Sequence, residues 1–198
     1  MTTAKSNPPR RSPEESIPSN SGGIRRVAQQ RRRTTRQNAG MHVSAKADYG
    51  MRALCELASA YRVDPAKLVK GEQIATAQEI PIKFLEGILR QLRQAGIVAS
   101  QRGAEGGYRL DRKPSDVSIA DVVRALDGPL AAVRGKRPED IEYPGAAEHL
   151  REVWIAVRAS MRHVLEHISL DDVATGTLPT DVSELLAEPG AWQRRENR

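Results

Sequence analysis

Hydrophobic residues return at three- and four-residue intervals through most of the chain, and one short glycine-rich stretch interrupts them. Ala47, Met51, Leu54, Ala58 and Tyr61 line one face of a helix predicted over residues 44–61, with Ser44 as its cap. A second, shorter helix is predicted over 72–77, with Gly71 as N-cap and Ile74 and Ala75 turned inward; a tight turn follows at 78–80. Pro81 suits the first position of a third helix, where its missing N–H costs nothing. Phe84, Leu85, Ile88, Leu89 and Leu92 give that helix an apolar stripe, while Lys83, Glu86, Gly87, Arg90, Gln91, Arg93 and Gln94 occupy the other side. Gly96 fits its C-cap, and 97–101 and 108–110 suit two strands joined across Arg102-Gly103-Ala104-Glu105-Gly106-Gly107.

Further along, Pro114 breaks the chain, and Ser118-Ile119-Ala120-Asp121 is a capping box for a helix through Leu126 that Asp127-Gly128-Pro129 ends. After a charged loop, a long helix is predicted over 146–168, with Ala147, Leu150, Trp154, Val157, Met161, Val164 and Ile168 in a heptad-like seam. Gly176 and Pro179 then signal an end, and 181–188 suits a short terminal helix before a polar tail. The predicted fold is mainly α with a small β wing: a winged helix-turn-helix over 41–128, a loop over 129–145, a dimerisation helix over 146–175 and a C-terminal tail over 176–198.

A helix, a turn, a second helix with a polar outer face and a glycine-rich hairpin form the usual means of placing one helix in a major groove and a wing beside it. Ile82, Lys83, Glu86 and Arg90 are the candidates for base or phosphate contact on the helix. Arg102 with the backbone at Gly103, Gly106 and Gly107 is the candidate for minor-groove contact. The plainer reading is that these glycines only turn the chain and the polar face only meets water. Gly87 also stands open: glycine within a helix costs ~1 kcal/mol relative to alanine, and either close approach to DNA or tight packing against the wing would explain it.

The segment IPIKFLEGILRQLRQAGIVASQRGAEGGYRL resembles the Rrf-two family of bacterial transcription regulators. The opening MHVSAKADYGMRALCELA and the later VSIADVVRALDG resemble it too, so the similarity covers roughly 41–177. What it implies is a homodimer bound to double-stranded DNA, paired through the long helix at Leu150, Trp154, Val157, Met161, Val164 and Ile168. Arg102 matches the family's DNA-contacting wing arginine, and Glu86 the recognition-helix glutamate implicated in sequence discrimination. Lys83 departs from the family, where a small hydroxyl residue is common. Cluster-binding members carry three closely spaced cysteines in the loop corresponding to 130–145; here there are none. The expectation is therefore regulation without an iron–sulfur cluster or other cofactor, because thiolates hold such clusters. Asp48 lies where some cluster-binding relatives place an acidic ligand, but stabilising a helix end is the simpler role.

Composition narrows the rest. The 198 residues include one cysteine, Cys55, which excludes an intramolecular disulfide and is read as a buried thiol in a reducing cytoplasm. No stretch is apolar enough to span a membrane. Of the formal charge of +6, the excess lies in residues 1–40, which hold nine Lys or Arg against Glu14 and Glu15. That segment, poor in large apolar residues, is expected to be a disordered basic extension. It reads either as an arm adding phosphate contacts or as a stretch preceding a start of translation at Met41. His163 and His167 stand four apart on the long helix, but without an evident third ligand they and His149 are read as surface histidines, and no metal site is expected. Arg134, Lys136, Arg137, Glu139, Asp140 and Glu142 are read as a solvated loop, with an unknown small-molecule or protein effector as the alternative. An enzyme is the weakest reading, since no nucleophile–base pair or phosphate loop is recognisable. The stronger alternative to a DNA-binding regulator, and to a repressor in particular, is a winged-helix module that docks on another protein.

Overall fold

Ser44 caps the first helix as its sequence suggests, accepting a hydrogen bond from the Ala47 N–H at 3.0 Å. The structure is a computed structural model describing residues 43–193; the predicted basic extension and the last five residues lie outside them. Helix α1, Ala45–Val63, is central, with Ala53, Leu54, Leu57 and Ala58 fully buried. Against it pack α3, Ile82–Gln94, through Leu85, Ile88, Leu89 and Leu92, and α4, Ile119–Asp127, through Val122 and Leu126. Each of these leucine, isoleucine and valine side chains contributes ~1.5–3 kcal/mol on burial, so this three-helix contact is a large part of the core.

Helix α2, Gly71–Ala77, starts one residue earlier than predicted. Its N-cap is Lys70, because the Gln73 side chain folds back to accept the Lys70 N–H at 3.0 Å. Helix α3 begins one residue later than predicted, at Ile82, with Pro81 as its cap residue rather than its first helical position. The stripe of α3 is narrower than predicted: Phe84 is 44% exposed, its ring meeting Tyr49 of α1 edge-on at 5.7 Å. Four side chains already fill the space against α1, and Phe84 falls just past their edge. At the other end, Gly96 takes φ +68°, the Gly96 N–H reaches the Arg93 carbonyl and the Ile97 N–H reaches that of Leu92. This double bond pattern turns the chain sharply into the wing.

Strands β1, Val98–Gln101, and β2, Gly107–Leu110, pair antiparallel with Val98 opposite Leu110 and Gln101 opposite Gly107. Val69, just ahead of α2, exchanges two 2.8 Å hydrogen bonds with Tyr108, adding a third rung that the hydrophobic pattern did not reveal.

The region predicted as one helix is two. A single 3-10 turn, Gly145–Ala147, precedes α5, Leu150–His167, and a separate helix α6 covers Leu170–Thr175. Ser169 causes the break. Its hydroxyl caps α6 at the Asp172 N–H while Asp172 accepts from the Ser169 N–H, a capping box that mirrors the one between Ser118 and Asp121. The two boxes are stapled back to back, the Ile119 N–H to the Ile168 carbonyl and the Leu170 N–H to that of Val117. Leu170 is thereby driven into the main core. A last helix, α7, spans Thr180–Ala187.

The loop between α4 and α5 is more ordered than a solvated loop. Leu130, Pro138 and Ile141 are buried, and Glu139 pairs with Arg158 of α5. The Glu139 carboxyl is held below the ordinary carboxylate range, first by a hydrogen bond from its own backbone and then by that of Arg158. No described helix is long and apolar enough to cross a membrane.

Candidate nucleic-acid interface

The turn between α2 and α3 sets how far α3 projects, and α1 grips it. Glu79 adopts φ +52° in this turn. Arg52 donates from Nη2 to the Gln78 carbonyl and from Nε to Gln78 Oε1 at 3.2 Å, while Gln78 Nε2 donates to Glu56 at 2.6 Å. Asp48 lies 3.6 Å from Arg52 in an i, i+4 pair, and the Arg52 guanidinium stacks over Tyr49 at 5.4 Å. Asp48 thus sits in the first turn of α1, where a carboxylate stabilises the helix end, and also pairs with the arginine that clamps the turn.

With its stripe buried, α3 turns Lys83, Glu86 and Arg90 to solvent. Ile82, Glu86 and Arg93 border the wing, and between them and the wing lies a concavity of about 430 Å³. Among the predicted residues, Ile82, Glu86, Arg102, Gly103, Gly106 and Gly107 come together in its lining. Lys83 and Arg90 are exposed on the outward side of α3 and do not line it. Lys70 and Arg93 do line it, and with Arg102 they outnumber the two carboxylates present, Glu72 and Glu86.

Neither Lys70 nor Arg93 was among the sequence candidates. Arg93 had a signal, standing two turns after Glu86 on the same face, and it donates from Nη1 to Ser100 Oγ at 3.1 Å, tying α3 to the wing. Lys70 had none, because its place depends on the long-range pairing of Val69 with Tyr108.

The wing glycines divide. A Cβ on Gly106 would lie 2.4 Å from the Gln101 carbonyl oxygen, and one on Gly107 would lie 2.7 Å from that of Val69. Gly106 is required by the hairpin's own backbone, and Gly107 by the Val69 rung paired beside it. Gly103 is different, with φ +108° and open space around it at the exposed tip beside Arg102. For Gly87, nothing lies within 4 Å of where a Cβ would stand, which excludes tight packing against the wing.

A helix clamped at its entry, bare on its outer face and flanked by a wing is the arrangement by which a helix enters a groove. The match to known proteins agrees: residues 43–176 fit the Rrf2 family model, described as an iron-dependent transcriptional regulator. The chain belongs to the Rrf2 family. A Mycobacterium tuberculosis protein named as an HTH-type transcriptional regulator is 49% identical over 145 residues, covering 73% of this chain and 88% of its own. The structure of CymR, the global cysteine regulator of Bacillus subtilis, superposes with TM-score 0.58 at 32% identity, over 70% of this chain and 99% of that one. That of IscR from T. potens gives 0.54 at 30%, over 80% and 95%. This Rrf2-family chain is a DNA-binding transcriptional regulator with a winged helix-turn-helix.

The family description raises the question of iron. Clusters are held chiefly by thiolates, and the one cysteine of the chain, Cys55, sits half-buried on α1. Burial, and after it the charge of Glu56, push its thiol above the usual range, away from the ligating thiolate. The donor set does not fit a thiolate-held cluster.

Proposed function

We propose that the protein is a cluster-free, sequence-specific repressor that binds a palindromic operator as a homodimer. Two copies pair through α5 and set two α3 helices in successive major grooves, with each Arg102 in the adjacent minor groove. The observation that carries the pairing is the state of α5: none of its 18 residues is buried within the single chain, and Leu150 and Val153 are 40% and 50% exposed. An apolar helix face of this kind needs cover. Trp154, Val157, Met161 and Val164 are half-buried and border that face. Ile168 is 8% exposed and closed by its own chain, so the proposed seam ends at Val164 and gains Val153.

Support for direct reading of DNA comes from the concave junction of α3 and the wing, with its excess of positive charge. For the effector, the supporting feature is a cavity of about 330 Å³ between the loop and α5, lined by Arg124, Arg137, Arg158 and Arg162, of which Arg158 pairs with Glu139 and Arg124 and Arg162 with Glu166. A small anion suits it. Selection of genomic fragments by the purified chain tests the central reading: enrichment of one palindromic motif by a dimer supports it, and indifference among fragments refutes it.

A further inference from the structure

Two histidines on α5 that lacked a third partner in the sequence acquire one in the fold. His163 and His167 stand one turn apart on one face of α5, and Asp181, in the first turn of α7, comes up beside them. One ligand atom from each of the three lies within 4.8 Å of the others.

We propose that His163, His167 and Asp181 bind one divalent transition-metal ion of the zinc class. His163 Nε2 and Asp181 Oδ2 are 3.3 Å apart. That is longer than a charge-assisted hydrogen bond of ~2.7–2.9 Å. It matches the edge of about 3.3 Å between neighbouring ligands on a tetrahedral ion with bonds of ~2.0–2.1 Å. His167 Nδ1 lies 2.5 Å from the His163 carbonyl oxygen. A carbonyl only accepts, so Nδ1 carries the proton and Nε2 of the neutral ring keeps its lone pair. A backbone carbonyl that fixes the tautomer and ring of a ligating histidine is the usual outer sphere of such sites.

Two imidazoles and a carboxylate suit zinc and its neighbours, whereas magnesium and calcium take all-oxygen sets. His163 is 60% and Asp181 41% exposed, so an ion enters from solvent and the remaining positions stay open to water. The ion ties the end of α5 to α7, a helix whose one buried residue is Val182.

Calorimetric titration of Zn²⁺ into the untagged, chelator-stripped full chain tests it, with Co²⁺ absorption as a report of coordination and excess Mg²⁺ as competitor. One ion per chain is expected, resistant to Mg²⁺, with a raised Tm. His163→Gln and Asp181→Asn should each lower Zn²⁺ affinity by at least the ~10–100-fold that loss of an outer-sphere partner costs. Both side chains are exposed, and unchanged circular dichroism would show that the variants fold. A chain carrying His42→Ala and His149→Ala together should bind as the parent does. Absence of saturable binding, or equal affinity in His163→Gln, Asp181→Asn and parent, would overturn the assignment.

Discussion

Gly87 separates stability from recognition at a single position. With open space where its Cβ would be, Gly87→Ala meets no neighbour, and the helix should gain ~1 kcal/mol. On our account the added methyl stands between α3 and DNA, so the variant should melt higher and bind an operator more weakly. A higher Tm with unaltered affinity would leave close approach without support. Arg102 gives the complementary case, an exposed side chain at the wing tip that the fold does not use. Arg102→Ala should keep its Tm and lose ~1–3 kcal/mol of operator binding, read by titration at moderate salt. Gly106→Ala should act the other way round. Its Cβ would sit against a backbone oxygen, so the wing must shift, and a loss of ~1–3 kcal/mol of stability is expected in chemical denaturation.

Among the elements, α6 shows where the sequence was legible and where it was not. The helices of the winged unit were visible because each buries one face, and a buried face leaves a period of three and four residues. The same period misled at Ile168, where an apolar residue in phase with the seam belongs to the chain's own packing. The break at Ser169 was written in a local capping box, but the pattern of Leu170 alone could not tell a helix continuing into solvent from one docking on α1. Phe84 was misplaced and Lys70 missed for a related reason, since their positions follow from Tyr49 and Tyr108, distant in the chain. Leu170→Ala should cost ~2–5 kcal/mol in denaturant unfolding, as expected for a core leucine. A loss below ~0.5 kcal/mol would mean that α6 is not part of the cooperative unit.

For the molecule as a whole, the decisive feature is an apolar helix face that the single chain leaves bare beside a reading head that the single chain completes. The resemblance carried by the wing and recognition helix gave the family and the DNA-binding class, and residues 43–176 match its model. The proposed pairing rests on α5 instead. Val153→Asp places a charge on the most exposed large apolar side chain of that helix and should yield monomers in sedimentation velocity while leaving the winged unit folded. The most direct single test is a hydroxyl-radical footprint of the purified chain on its selected operator. Our account predicts two protected half-sites related by a dyad, centred about 34 Å apart along one face of the duplex. A lone protected half-site, or uniform weak protection along the fragment, would contradict it.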